Sequence, residues 1–294
     1  MARGKKKSDG TQSGEMSFLQ HLEELRWHKI RSFLAIMVLT VVAFLFKNFI
    51  FDTIILAPKN PSFFTNRVLC DLGHRWLHSD VICLNTKPFQ LISINMSGQL
   101  TTHIAVSMVS GVILAAPYIL YEFWRFFSPA LYSNEKKYAR GAVLWSSLLF
   151  FIGVVFGYYM IVPLSLHFLG SYEISSQVIN QIYIRSYIGT MTSIVLATGV
   201  IFELPLIAFV LTKIGMITPQ FLIKYRRHSI VVIFIVAAII TPPDVFSQTL
   251  VAIPLLILFE VGILVSKSVY RQKQKDREKF FNGDEDTRTA GATD

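Results

Sequence analysis

The chain has 294 residues, of which 52% are hydrophobic and 16% charged, and its formal net charge is +9. Soluble domains average roughly 25% charged residues, so this composition excludes an ordinary soluble protein and indicates a membrane protein with several spans. The basic residues flank apolar segments, and no basic-aromatic stripe accompanies them. The charge therefore predicts contact with anionic lipid and no binding of nucleic acid.

The N-terminal residues 1–16 are polar and lack an apolar core segment, so we expect a disordered cytosolic tail without a cleavable signal peptide. Ser17 and Gln20 have the spacing of a capping box, which predicts that a helix begins at this point. The predicted transmembrane domain covers residues 17–267, and residues 268–294 are predicted to be a disordered, charged cytosolic tail.

The first helix is predicted to be amphipathic, with Phe18, Leu22 and Leu25 on one face and Glu24 pointing away from it. From this stretch alone, two interpretations remain. The helix is either a membrane-surface anchor whose acids, including Glu23, pair with neighbouring basic side chains, or a recognition site for a cationic partner. The neighbouring basic residues are Arg26, His28 and Arg31.

Six apolar runs follow in the chain. They cover residues 30–51, 96–127, 142–169, 187–211, 229–240 and 248–266. A crossing needs about 20 apolar residues, so the fifth run is too short for a full crossing of ordinary thickness. It forms either a re-entrant hairpin with the sixth run or a span of a locally thinned membrane. Thr218 and Pro219 predict the start of a short helix before the fifth run.

Lys and Arg cluster in both tails and in the segments 125–140 and 213–227. By the positive-inside rule, this pattern predicts six spans with both termini in the cytosol. The segment 52–97 then becomes a long outer loop, which we expect to cap the outer side of the helices. It contains Cys70 and Cys83, which in an oxidising compartment predict a disulfide, although two unpaired thiols remain an alternative.

Two carboxylates lie inside apolar runs. Glu203 in the fourth run and Glu260 in the sixth are costly to bury, which favours a functional path or a polar partner, and the alternative is a carboxyl bonded to a neighbouring helix. Glu122 stands at the end of the second run, where we expect it to be solvated. Asp244 and Gln248 follow a Pro-Pro turn and are predicted to cap the last helix.

No catalytic set, nucleotide-binding loop or metal-binding motif occurs in the sequence, so we expect no enzyme activity, no cofactor and no metal. His74 and His78 are four residues apart with Cys70 nearby, but a structural or chance occurrence is the favoured interpretation. Glu135 directly precedes two lysines, where its simplest role is to favour the start of a helix.

Four stretches resemble the TatC family of the twin-arginine protein translocase. They are His-Leu-Glu-Glu-Leu-Arg at 21–26, Pro-Ala-Leu-Tyr-Ser-Asn-Glu at 129–135, Phe-Glu-Leu-Pro at 202–205, and Thr-Pro-Pro-Asp-Val-Phe-Ser-Gln at 241–248, which Leu-Phe-Glu at 258–260 continues. The resemblance implies an all-α, glove-shaped bundle of six transmembrane helices in the bacterial inner membrane, with the last two helices short.

The resemblance also implies a function. Glu24 and Glu135 would bind the two consecutive arginines of a signal peptide, with Arg26 supporting that surface. Glu203 would be a polar group in the concave face, and Asp244 with Gln248 would belong to the outer turn. Single-span partners of the TatA and TatB type would join several copies in a hetero-oligomer that exports folded proteins with the proton-motive force.

His28 departs from the family pattern, in which the position two after Arg26 is often basic. The charge of a histidine at neutral pH depends on its surroundings, which puts its part in signal-peptide binding in doubt. A proton- or ion-coupled small-molecule transporter that uses Glu203 and Glu260 is the alternative function. That class favours an internal repeat, and the spans contain none that we detect.

Overall fold

The computed structural model describes residues 18–76, 90–127, 136–172, 175, 177, 181–241 and 245–290. The α-helices in these ranges are α1 Phe18–Leu45, α2 Phe64–Trp76, α3 Gly98–Phe127, α4 Lys136–Phe156, α5 Val162–Ser171, α6 Ile184–Ile201, α7 Leu204–Ile214, α8 Pro219–Lys224, α9 Arg226–Ile240 and α10 Val245–Ala290. Shorter helices connect some of these elements in the described ranges. Between α1 and α2 lie a π-helix, Phe49–Ile55, and a 3₁₀ helix, Ala57–Lys59, and a second π-helix, Gly157–Ile161, connects α4 to α5. The strands β1, Leu91–Ile92, and β2, Ile182–Tyr183, form a parallel pair in which Leu91 faces Ile182.

Five segments of the described chain are long and apolar enough to cross a membrane. They are Leu25–Leu45, Gly98–Phe126, Val143–Ser171, Ile184–Ile214 and Gln248–Lys275. The prediction of an all-α protein with several membrane spans is confirmed. The fifth predicted run is α9, whose 15 residues reach about 22 Å, short of a bilayer core of about 30 Å.

The helices α1 and α3 pack against each other along their lengths. Their backbones come close at Gly111, where an added Cβ would lie 2.8 Å from the backbone nitrogen of Thr40. His103 of α3 stacks on Phe44 of α1 with ring centroids 4.0 Å apart, and its Nε2 lies 3.2 Å from the Phe44 carbonyl oxygen. Small residues allow such close packing between helices in a membrane, where apolar burial alone does not favour association.

A second packed unit joins α4, the π-helix Gly157–Ile161 and α5, which together face α6. Gly153 makes this approach close, because a Cβ there would lie 2.7 Å from the carbonyl oxygen of Thr198 on α6. The apolar core centres on α6, where Tyr187, Met191 and Ile194 are almost fully buried. The two units meet where α3 contacts α4 and α6.

The segment predicted as a long polar loop, residues 52–97, contains the helix α2, and its described part before α2 is packed against the bundle. Tyr158 and Tyr187 donate hydrogen bonds of 2.8 and 2.7 Å to the carbonyl oxygens of Ile54 and Ile55. Within the segment, Asn66 Nδ2 donates to the carbonyl oxygen of Asn60 at 2.8 Å. Proline and asparagine residues at the start of the segment concealed this helix, whose first residues Phe64 and Thr65 contact Tyr159 of another span.

One of the two cysteines of the predicted disulfide lies within the described residues. Cys70 lies on α2 and its thiol is not free. Cys83 lies outside the described residues, so its pairing with Cys70 stays a prediction. The predicted disordered tail of residues 1–16 also lies outside the described residues.

The fourth predicted span is interrupted after α6. Phe202 and Glu203 form a turn, and α7 starts at Leu204 with Pro205 in its first turn, where a missing backbone N–H costs nothing. The helix ends at Gly215, whose φ of 93° lies in the left-handed region that favours glycine. Thr218 then caps α8 as predicted, since its Oγ1 accepts a hydrogen bond of 3.3 Å from the Phe221 backbone nitrogen.

The last helix is longer than the sequence predicts. Disorder was expected for residues 268–294, whereas α10 continues through this segment to Ala290. Residues 267–282 contain no glycine or proline and are rich in Lys, Arg, Glu and Gln, which favour helix, so the membrane helix extends into its polar flank. The membrane part of α10 packs on α7 and α9.

Candidate functional site

The N-terminal part of α1 is joined to the C-terminal part of α3 by a buried, hydrogen-bonded pair of side chains, His28 and Glu122. Nδ1 of His28 donates a short hydrogen bond to Oε2 of Glu122, and the two residues are only 7% and 2% exposed. Tyr118, one turn before Glu122 on α3, donates a hydrogen bond of 2.9 Å to Oε1 of the same carboxylate. Both oxygens of Glu122 are therefore satisfied by side chains.

This arrangement corrects the prediction that Glu122 is solvated at the membrane interface. The apolar residues around it on α3 turn it toward α1, and a carboxylate can stay buried there because His28 and Tyr118 replace its water shell. Among the described side chains, His28 pairs with Glu122 of α3 and not with an acid of its own helix. No local pattern in the sequence indicates the pair, because 94 residues separate its members.

In the sequence, the predicted signal-peptide residues lie close to the pair: Glu24 and Arg26 precede His28, and Glu135 follows Glu122. Arg26 belongs to α1 and is exposed. Position 24 lies within α1, one turn before His28, but the side chain of Glu24 lies outside the described residues. Glu135 lies outside them as well and directly precedes Lys136, where α4 begins. Whether the two carboxylates approach each other stays a prediction.

A cavity of about 330 Å³ opens beside the ion pair. It is lined by Trp27, His28 and Arg31 of α1 and by Arg125 of α3, and we call it the basic cavity. Trp27 is 55% exposed, and both arginines are exposed as well. Neither arginine forms an ion pair with a described carboxylate. The cavity therefore offers two guanidinium groups and an indole to an anionic group.

The intramembrane carboxylate Glu203 sits in the turn between α6 and α7. It is only 7% exposed, and Ser146 of α4 donates a hydrogen bond of 2.9 Å to its Oε2. Its other oxygen, Oε1, is buried without a hydrogen-bond partner in the part of the chain that the structure describes. Glu203 is therefore held by one neighbouring helix and keeps one unused acceptor.

The second carboxylate of the apolar runs, Glu260 on α10, lies at the protein surface. Its Oε1 is 2.6 Å from Nη2 of Arg226 at the start of α9, and both side chains are partly exposed. Near the start of α10, twelve residues before Glu260, Gln248 Nε2 donates to the carbonyl oxygen of Phe234 at 3.2 Å, so this side chain links α10 to α9. Asp244 lies outside the described residues, and its role stays a prediction.

In the described ranges, the side chains of His, Cys, Asp and Glu form no group of three that could hold a metal ion. His74 lies on α2, whereas His78 and Cys83 lie outside the described residues. The remaining polar groups at the site are suited to ion pairing and hydrogen bonding.

Comparison with known proteins identifies the family. The family model described as Sec-independent protein translocase protein (TatC) matches residues 20–254. A TatC protein of Blattabacterium sp. subsp. Periplaneta americana is 38% identical over 265 residues, which cover 89% of this chain and 99% of that protein. A TatC protein of Aquifex aeolicus is 35% identical over 261 residues, with 88% and 98% covered.

A solved structure agrees with these sequence matches. The crystal structure of a twin-arginine translocase receptor, TatC, in the detergent DDM superposes with a TM-score of 0.65. It is 35% identical in sequence, and the match covers 84% of this chain and 99% of that one. The family consists of transport proteins and not of enzymes. This chain belongs to the TatC family and is a membrane component of a Sec-independent protein translocase.

Proposed function

We propose that this chain is the receptor and core subunit of a twin-arginine translocase. Glu24 and Glu135 bind the two consecutive arginines of a signal peptide, and Arg26 supports the surface between them. A guanidinium can form two parallel, charge-assisted hydrogen bonds with one carboxylate, so two acids suit an arginine pair. Lysine lacks this fork and binds as a point charge.

The ion pair between His28 and Glu122 is the observation that carries the proposal. It fixes α1 four residues after Glu24 to α3 five residues before that helix ends at Phe127. The segment with Glu135 follows α3 directly and leads into α4, which itself packs on α3. Both acids are thus tied by short lengths of chain to the same end of the bundle.

Membership of the TatC family supports a wider assignment. The protein is a multi-pass protein of the bacterial inner membrane with both termini in the cytosol, and it exports folded proteins with the proton-motive force. Single-span partners of the TatA and TatB type pack against it in a hetero-oligomer of several copies. A surface suited to such a helix exists on α9, where Val231, Ile235 and Ile239 are exposed at a spacing of four residues. The small-molecule transporter loses support, because the relatives are protein translocases.

Photo-crosslinking tests the receptor assignment. A signal peptide with a photoreactive residue beside its arginine pair is added to membranes that contain the full chain. We expect Glu24→Gln and Glu135→Gln each to reduce crosslinking about tenfold, since each removes one charged acceptor. Glu23→Gln is the matched control, because Glu23 neighbours Glu24 and is exposed. Unchanged crosslinking in the double variant would overturn the assignment.

A further inference from the structure

The basic cavity combines features that suit a phosphate group. Arg31 comes from α1 and Arg125 from α3, so two guanidinium groups of different helices converge on one cavity of about 330 Å³. Neither is neutralised by a described carboxylate, since Glu122 is bound on both oxygens by His28 and Tyr118. An anion in this cavity would meet two forks of N–H donors that form no ion pair with a described carboxylate.

The depth of the cavity in the membrane indicates where that anion comes from. Arg31 lies six residues, or about 9 Å, inside the span that begins at Leu25, and Arg125 lies one residue before the end of the span Gly98–Phe126. Trp27 stands one turn before Arg31 and is half-exposed, as is typical of indoles at the headgroup level. The cavity therefore lies toward the ends of two segments that are long and apolar enough to cross a membrane, within reach of the headgroup region.

The surface next to the cavity fits the rest of a lipid molecule. Below Arg31, α1 exposes Leu34, Val38, Val41 and Leu45 at intervals of three or four residues. These side chains form one apolar stripe that runs from the cavity toward the other side of the membrane. An acyl chain can lie along this stripe while its headgroup occupies the cavity.

We propose that the basic cavity is a specific site for an anionic phospholipid, whose phosphodiester binds Arg31 and Arg125 and whose glycerol packs on Trp27. The His28–Glu122 pair shapes the site by holding α1 and α3 at the distance that brings both arginines to one phosphate. The two positive charges favour a lipid with a net negative charge over a zwitterionic one. This site does not depend on signal-peptide recognition.

Native mass spectrometry of the full chain in detergent tests the site. Phosphatidylglycerol is titrated, and the bound fraction is compared with that of phosphatidylcholine of the same acyl chains. We expect phosphatidylglycerol to bind at least tenfold more tightly, and Arg31→Gln and Arg125→Gln each to weaken its binding about fivefold. Arg227→Gln is the matched control, because it removes an exposed charge on α9, away from the cavity. An unchanged unfolding midpoint shows that the variants are folded.

Three outcomes would overturn the proposal. Unchanged binding of phosphatidylglycerol in the double variant Arg31→Gln/Arg125→Gln would show that the cavity is not the site. An equal loss of affinity for phosphatidylglycerol in Arg227→Gln would show that lipid binding depends only on the total charge of the protein. Competition by inorganic phosphate at the concentration of the lipid would show a site for free phosphate. A double variant with Lys at both positions keeps the charge, and we expect it to retain part of the affinity but to lose the bidentate bonds.

Discussion

Glu122 and Glu203 are both buried carboxylates in apolar helices, but they are satisfied in different ways. Glu122 uses both oxygens, one on His28 and one on Tyr118, and so locks two helices together. Glu203 accepts one hydrogen bond from Ser146 and leaves Oε1 without a partner among the described residues. A fully paired carboxylate serves as a structural anchor, whereas a half-paired one retains the capacity to bind another polar group.

The helix interfaces next to the two carboxylates are also held together differently. Near Glu122, α1 and α3 are joined by a charged pair close to the membrane surface. Near Glu203, α4 and α6 are joined by glycines that bring the two backbones together. We therefore expect the first interface to respond most strongly to loss of charge and the second to added volume.

The largest effect is expected for His28→Leu. This change leaves the Glu122 carboxylate buried with Tyr118 alone, and breaking a buried pair costs about 3–5 kcal/mol. Unfolding of the purified protein by a denaturing detergent measures the difference in free energy. The double variant His28→Leu/Glu122→Leu should recover most of the loss, because no charge is left buried. A loss below about 1 kcal/mol in His28→Leu would show that the pair is not the anchor.

The second-largest effect is expected for a side chain added at the interface between α4 and α6. Gly153→Ala introduces a Cβ 2.7 Å from the Thr198 carbonyl oxygen, and we expect a destabilisation of about 1–3 kcal/mol. Gly189→Ala on α6 is the matched control, because no atom lies within 4 Å of a Cβ there. The same unfolding measurement should find Gly189→Ala neutral or stabilising. Equal behaviour of the two variants would contradict close packing of α4 on α6.

A smaller effect is expected at Glu203. Ser146→Ala removes its one hydrogen bond and leaves both carboxylate oxygens buried without a described partner, which should cost about 1–2 kcal/mol. Ser146→Thr keeps the hydroxyl and should retain part of that stability. If Ser146→Ala is as stable as the parent protein, another group satisfies Glu203, and the contrast with Glu122 disappears.

The smallest effect is expected for Glu260→Gln. The side chain of Glu260 is 43% exposed, and that of its partner Arg226 is 56% exposed. Exposed ion pairs contribute about 0–1 kcal/mol to the free energy of unfolding. High salt should remove whatever difference an unfolding measurement finds. A loss as large as that of His28→Leu would assign Glu260 a role beyond a surface pair.

The positions of the spans could be predicted because their signals are local. Apolar runs located the membrane helices, and Thr218 with Pro219 located the start of α8. The short α9 was visible as a run of only 12 apolar residues, close to the 15 of the helix. Each of these features depends on residues within one or two turns of each other.

The contacts between helices could not be predicted from the same patterns. Glu122 looked solvated because its partner His28 lies 94 residues away, and no local spacing records that distance. The helix α2 was hidden in a polar segment, since its start packs on Tyr159 of a later span through Phe64 and Thr65. The extension of α10 was missed because its charged residues suit both a helix and a disordered tail.

The most direct test of the account is the affinity of the full chain for two peptides that differ only in the arginine pair. We expect the twin-arginine peptide to bind at least tenfold more tightly than its twin-lysine counterpart in a titration with the reconstituted protein. Glu24→Gln/Glu135→Gln should bind both peptides equally and weakly. Equal dissociation constants for the two peptides with the parent protein would contradict the account.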